Sequence, residues 1–144
     1  TPKLACGWGV TSVSASKDCV VLSWSQLPIG NDIERDDRSF KAAARAKRHF
    51  LEEERIELAK LKTANFQDSV RHYCQAKEAA IKWQKGSISK NINHWKFDKC
   101  SSKISNILTK ETLVTHQTNL KKWQIIVALT GEKEKSFNPM VCYR

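Results

Sequence analysis

The apolar residues between positions 31 and 130 recur at helical spacing, and almost nothing in this stretch interrupts a helix. It contains one glycine, Gly86, and no proline. These two residue types break regular structure more strongly than any others, so their scarcity favours helix throughout. The pattern therefore predicts a mainly α fold, in which residues 31–130 form a three- to four-helix antiparallel bundle.

Four helices are predicted, at about 31–62, 66–85, 87–108 and 110–130. The most regular apolar stripe belongs to the fourth and consists of Leu113, His116, Gln117, Leu120, Trp123, Gln124 and Val127. Residues 33–85 could instead form one unbroken helix. That helix would be roughly 80 Å long at 1.5 Å per residue, too long for a compact domain of this size, so a helical hairpin near residues 63–65 is favoured.

The two ends of the chain have a different pattern. In residues 1–30, two groups rich in Val, Ser and Thr flank a polar segment, which predicts a short N-terminal β-hairpin with strands at about 9–14 and 19–24. Residues 131–144 are first polar and then apolar, which suggests an extended tail docked on the rest. The 144 residues have the size of a single domain.

The positive charge is unevenly distributed along the chain. The net charge is +10, yet residues 1–57 contain nine Lys/Arg and nine Asp/Glu, whereas residues 58–130 contain thirteen and four. A positive field confined to part of a fold favours association with something acidic. The expected partner is therefore an acidic protein receptor, a glycan or an anionic membrane surface, with RNA or DNA as the alternative.

Tryptophans that stand among lysines mark the candidate contact surface, since aromatic rings beside cations can stack on bases or lie at a lipid interface. Trp83 is the strongest contact candidate because it lies nearest the boundary of its predicted apolar face. The predicted partner-binding residues are Lys82, Trp83, Lys85, Lys96, Lys99, Lys103, Lys121 and Lys122.

The chain offers no recognisable catalytic or cofactor motif. The glycines are too scattered to form a phosphate-binding loop, and Cys74 and Cys100 fall on apolar faces, where thiols are usually inert. Of the four histidines, only His116 points inward on its predicted helix, which argues against a metal in the bundle. No catalytic, cofactor or metal site is predicted, and an enzyme ranks third among the possible functions.

Five cysteines and five tryptophans in 144 residues are typical of extracellular proteins stabilised by disulfides. Together with a first residue other than methionine, they favour a processed, secreted, non-enzymatic basic protein with two disulfides that involve Cys6, Cys19 and Cys142. The alternative is a basic subunit of a nucleoprotein complex, placed in an organelle after removal of a transit peptide.

Overall fold

The fold is a mixture of strands and helices around one five-stranded sheet. The computed structural model describes residues 7–131. The strands are β1 (Val10–Ser16), β2 (Cys19–Ser25), β3 (Ile29–Arg35), β4 (Trp95–Asp98), β5 (Lys103–Asn106), β6 (Thr112–Leu120) and β7 (Trp123–Thr130). The helices are α1 (Ala42–His49), α2 (Glu52–Ala59), α3 (Thr63–Gln84) and α4 (Ile88–Asn91), and a short 3-10 turn, Ile92–His94, leads into β4.

The strands form two antiparallel sheets. The larger has the order β3-β7-β6-β5-β4, so β3, the first of these strands in the chain, pairs with β7, the last. The smaller is the β1-β2 hairpin. Helix α3 covers one face of the large sheet, and the hairpin lies against β3.

Alternation along β7 separates two apolar clusters on the two faces of the sheet. Ile126 and Ala128 belong to the larger cluster, in which the sheet packs against α1, α2 and α3. Ile125 and Val127 belong to a smaller cluster with residues of β2 and β3. Side chains of a strand point to opposite faces in turn, so the continuous apolar run of β7 is the pattern of a strand buried on both sides.

The predicted helical bundle is wrong. Among the described residues, 37% are in strands and 36% in helices. The N-terminal hairpin is confirmed, at Val10–Ser16 and Cys19–Ser25, and the predicted second helix corresponds to α3. The first predicted helix is replaced by β3, α1 and α2, the third by α4, the 3-10 turn, β4 and β5, and the fourth by β6 and β7.

The turns that join β4, β5, β6 and β7 explain this error, because they reverse the chain without glycine or proline. Within residues 7–131, five residues other than glycine adopt a positive φ, namely Lys17, Lys85, Ser102, Lys110 and Lys121. Four of them lie in turns between consecutive strands, and Lys85 ends α3. Such a conformation is uncommon for side chains with a Cβ. The scarcity of glycine therefore did not exclude turns.

Both outer edges of the large sheet are covered by side chains. At the β3 edge, the backbone N–H groups of Asn31 and Ile33 donate to the hydroxyls of Ser12 (3.1 Å) and Ser14 (3.2 Å) in the hairpin. An exposed edge would offer a template for pairing with another chain. The hairpin thus closes the β3 edge through hydroxyl groups.

At the β4 edge, a buried ion pair has the same effect. Glu54 of α2 accepts a hydrogen bond from the Phe97 N–H (3.0 Å), and Lys77 of α3 donates to the Trp95 carbonyl. The Lys77 Nζ and a Glu54 carboxylate oxygen are 2.7 Å apart, and the two side chains are 0% and 1% exposed. Glu54 also accepts from the Leu51 N–H, so the pair ties α2, α3 and β4 together.

The predicted pair of disulfides is also wrong. Cys19, Cys74 and Cys100 carry free thiols, which leaves too few cysteines for two bridges. Cys100, predicted on an apolar face, is exposed in the β4–β5 turn, whereas Cys74 is buried as expected. Cys6, Cys142 and the predicted tail docking lie outside the described residues. Among residues 7–131, no helix has the length and apolarity needed to cross a bilayer.

Candidate anion pocket and carboxylate cluster

Helix α1 is strongly basic. Residues 38–51 contain five Lys/Arg and no Asp/Glu. Ala42 and Ala46, one turn apart, are buried against the core, so Arg45, Lys47 and Arg48 are left on the exposed side. The helix ends where Phe50 adopts an extended conformation and inserts its ring into the core.

A pocket of about 430 Å³ lies where α1, α3 and α4 meet. It is lined by Lys41, Ala44, Arg45, Arg48, His49, Cys74, Glu78, Ile88 and Ile92. Two arginines and one lysine thus face one carboxylate. Arginine guanidinium groups and a lysine at a concave site are suited to phosphate, sulfate or carboxylate groups.

Aromatic contacts hold Arg45 in place at this pocket. Its guanidinium lies 5.1 Å from the centre of the Phe40 ring, and that of Arg71 lies 5.2 Å from the same ring. Arg71 is fixed in turn by a 3.0 Å hydrogen bond to the Arg38 carbonyl. A cation over an aromatic face is attracted by the ring, so Arg45 is oriented in the absence of a ligand.

The remaining titratable side chains of the pocket, His49 and Cys74, are uncharged near neutral pH. Burial lowers the pKa of His49, and the charges of Arg48 and Arg45 lower it further. Burial raises the pKa of the Cys74 thiol to about 12, although Arg45 acts in the opposite direction. A thiol with this pKa is a poor nucleophile, because the thiolate is the reactive form.

Glu78 also belongs to a group of three carboxylates that lies between β3 and α3. Gly30, Asp32 and Glu34 alternate on β3 and share the face that meets α3, where the missing side chain of Gly30 allows the α3 backbone to approach closely. Carboxylate oxygens of Asp32, Glu34 and Glu78 lie within 4.8 Å of one another. Two strand residues and one helix residue thus form a compact acidic cluster.

Asp32 is the most strained member of this cluster electrostatically. Its residue is 4% exposed, and its Oδ2 is buried without a hydrogen-bond donor among the described residues. Burial raises the pKa of Asp32 well above its ordinary value; Glu78 adds to this effect, and Lys82 opposes it. The Lys82 Nζ is 3.8 Å from Oδ1, to which the Ser14 hydroxyl also donates at 3.5 Å.

This strain predicts a pH-dependent effect of Asp32→Asn. Between the ordinary pKa of about 3.9 and the raised pKa, the folded protein holds a proton that the unfolded chain releases, so stability falls as the pH rises. Asparagine abolishes this titration and keeps an oxygen for Ser14. We expect the variant to gain stability relative to the native protein as the pH rises from about 4, by up to about 1.4 kcal/mol per pH unit.

Urea unfolding of both proteins at pH 4.5, 6 and 7.5 measures this difference. His72 acts in the opposite direction. Burial lowers its pKa from 6.5 to about 4, so stability is lost as the pH falls from the first of these values to the second. Because His72 is present in both proteins, the comparison at each pH cancels its contribution. A difference between the two proteins that stays constant with pH would contradict the prediction.

Three of the predicted contact lysines line a different depression. Lys96, Lys99 and Lys103 surround a groove of about 850 Å³ between α2 and the β4–β5 turn. Its walls also contain Glu53, Glu57 and Asp98, so these six charges cancel, and the Lys96 ammonium is already paired with Glu53 at 2.6 Å. The groove therefore has no excess of positive charge.

The other predicted contact residues lie apart from this groove. Lys121 and Lys122 are exposed in the β6–β7 turn, and Lys122 is 4.0 Å from Asp37. Lys85 is exposed at the end of α3, while Lys82 is directed toward Asp32. The structure thus distributes the predicted residues over three regions rather than one surface.

Trp83 is part of the packing around the core. It is half-buried and meets the ring of Trp95 edge to face, with 6.3 Å between the ring centres. Its role as a partner contact stays a prediction. Replacing it would remove core contacts as well, so a loss of binding in Trp83→Ala could not be assigned to the partner alone.

Two features of this region escaped sequence-based prediction. The charge of α1 was hidden because acidic residues at 32–37 and 52–57 balance it in a count over residues 1–57. A count over residues 38–51 alone reveals it. Asp32 and Glu34 resembled the acidic start of a helix, whereas their alternation with Ile29, Asn31 and Ile33 is typical of a strand.

Comparisons with known proteins add no relative: no protein-family model matches the chain, and a search of curated proteins finds no significant match.

Proposed function

We propose that the protein is a non-enzymatic binding protein that holds an acidic partner through the pocket between α1, α3 and α4. The observation that carries this proposal is the charge in and around α1: residues 38–51 contain five Lys/Arg and no Asp/Glu. The Glu78 carboxylate on the wall of the pocket belongs to the cluster with Asp32 and Glu34, and no ion pair among the described residues joins it to these cations. Anionic groups of a receptor or a sulfated glycan are the preferred ligands.

The shape of the pocket supports recognition of individual anionic groups. Arg45 is oriented by Phe40, and Arg48 and Lys41 are exposed beside it. A preorganised cation loses less side-chain entropy when it binds than a freely rotating one. His49 adds a pH-sensitive donor, because a bound anion would favour its protonated form.

One observation favours the alternative of a nucleoprotein subunit. Three of the five cysteines carry free thiols, including Cys100 on the surface, and free thiols are usual in reducing compartments. The same basic pocket would then face phosphates of RNA or DNA. Secretion and an organellar location both remain proposals that follow from the choice of partner.

The test compares two variants with the same change in net charge. Lys41→Gln/Arg48→Gln removes two cations from the pocket, and Lys121→Gln/Lys122→Gln removes two from the β6–β7 turn. With a sulfated heparin oligosaccharide as ligand, we expect the pocket variant to bind at least about tenfold more weakly, and the turn variant to change less than about threefold. Isothermal titration at fixed ionic strength measures both affinities.

A duplex RNA or DNA ligand tests the alternative with the same variants. Each phosphate neutralised contributes about −0.9 to the slope of log K against log salt, so loss of two contacts should flatten the slope by about two units. A larger loss in the turn variant would assign binding to the lysines first predicted. If neither variant affects any of these ligands, the pocket is not the binding surface and the proposal fails.

A further inference from the structure

We infer that Asp32, Glu34 and Glu78 form a binding site for a hard divalent cation between β3 and α3. The inference goes beyond the proposed function, since no anionic partner is needed for the cation to bind. It rests on the mutual positions of the three carboxylates and on the buried, unpartnered Oδ2 of Asp32.

The spacing of the oxygens suits a cation. Calcium binds oxygen ligands at about 2.3–2.6 Å, so two ligands on opposite sides of the ion are separated by about 4.6–5.2 Å and neighbouring ligands by less. The three carboxylates each offer an oxygen within 4.8 Å of the others. No carboxylate needs to move by more than a side-chain adjustment to contact a common centre.

Asp32 supplies the second argument for a ligand. A buried carboxylate oxygen ordinarily has a donor, because leaving it without one costs free energy. Oδ2 of Asp32 lacks such a donor among the described residues, and the neighbouring Glu78 carboxylate repels its charge. Either a proton or a cation is needed between these two groups, and a cation also engages Glu34.

The nearby cations leave room for the ion. Lys82 is 3.8 Å from Asp32 Oδ1, which is too long for a tight ion pair, and its Nζ also contacts the Val13 carbonyl at 3.4 Å. Its side chain is 33% exposed and can turn toward solvent when a cation binds. No ion pair within 4 Å involves Glu34 or Glu78 among the described residues; Arg45, Arg38 and Arg71 act on Glu34 from a greater distance.

The ligand set also indicates which ions fit. All three side chains offer carboxylate oxygen, which favours Ca²⁺, Mn²⁺ or Mg²⁺ over the softer transition metals. Cys74 lines the same pocket as Glu78, yet its sulfur is a soft ligand, which hard cations disfavour. Glu78 lines the solvent-open pocket, which provides a route of entry. We expect Ca²⁺ to bind best, because it tolerates the most irregular coordination.

The experiment uses the full chain treated with a chelator and then dialysed, with no anionic ligand present. Thermal unfolding is followed in 1 mM CaCl₂, MnCl₂ or MgCl₂ at pH 7.5. An ion whose Kd for the folded state is one hundredth of the added concentration should raise Tm by at least about 4 °C. Asp32→Asn and Glu78→Gln should each abolish most of this increase.

The matched control is Glu53→Gln/Glu57→Gln, which removes two exposed carboxylates from α2 and should retain the full increase in Tm. Paramagnetic broadening of backbone NMR signals by Mn²⁺ in the native protein locates the ion independently of any variant. It should affect residues 30–34 and 76–80 first. No increase in Tm with any ion, an equal increase in Asp32→Asn, or broadening centred on α2 would overturn the inference and leave a shared proton in the cluster.

Discussion

Replacing Lys77 with methionine is expected to destabilise the protein by about 3–5 kcal/mol, since it leaves the carboxylate of Glu54 buried without a counter-charge. Lys77 and Glu54 are almost completely inaccessible to solvent. Burial already lowers the pKa of Lys77, and the charge of Glu54 opposes that effect. Methionine fills a similar volume, so the loss reports on charge and hydrogen bonding more than on packing.

Urea unfolding of Lys77→Met at pH 7 measures this loss, and the chain provides a matched control. Lys60 and Glu57 form an exposed pair with 3.2 Å between the charged atoms, so Lys60→Met should cost less than about 1 kcal/mol. Adding Glu54→Gln to Lys77→Met should restore part of the lost stability, because no buried charge remains unpaired. A Lys77→Met effect no larger than that of Lys60→Met would contradict a central role for the buried pair.

The second large effect is expected at Gly30, where Gly30→Ala should destabilise the protein by about 3 kcal/mol, the upper range for overpacking. A Cβ at this position would overlap the Ala79 carbonyl oxygen and press on the Trp83 backbone nitrogen. These are atoms of the α3 backbone, which cannot move aside without shifting the helix away from the sheet. Thermal unfolding and the near-ultraviolet circular dichroism of the tryptophans report the change.

Gly86→Ala is the corresponding control. A Cβ at Gly86 would meet mainly the side chain of Asn91, a half-buried residue whose Oδ1 accepts a hydrogen bond from the Ser87 N–H, so the cost should stay near that of one such bond, about 1 kcal/mol. If Gly30→Ala were as mild as Gly86→Ala, then α3 would not be packed as closely on β3 as the structure indicates. Because Asp32 and Glu34 follow Gly30 on the same face, Gly30→Ala should also disturb the carboxylate cluster.

The elements that could be predicted from sequence are those whose pattern is local. The hairpin at Val10–Ser25 has two Val-rich groups around a polar turn, and α3 combines a helical stripe with a stop at Gly86. Strands β6 and β7 were missed because Lys121 and Lys122 form the turn between them. Their apolar residues also fit a helical stripe, since short runs satisfy both periods.

Other features depend on contacts between distant parts of the chain. Glu54 resembled one member of a solvated acidic face, and only its proximity to Lys77, which is 23 residues away, makes it a buried group. Likewise, nothing in the sequence places Glu78 beside Asp32. Packing on α3 decides both cases: β3 lies against this helix and brings Asp32 to Glu78, and α2 lies against it and brings Glu54 to Lys77.

The two covered edges of the sheet differ in how readily they would open. The β3 edge is covered by the β1-β2 hairpin, whose strands pair over seven residues. The β4 edge is covered in part by α2, an eight-residue helix in which only Glu54 and Leu58 are buried. Segments with few buried contacts open more easily than the molecule as a whole unfolds. Detachment of α2 would bare the Phe97 N–H of β4, while Lys77 of α3 stayed on the Trp95 carbonyl and the rest of the sheet stayed folded. Self-association of such partly opened molecules would therefore begin at β4, and the sheet would grow from that side into an aggregate.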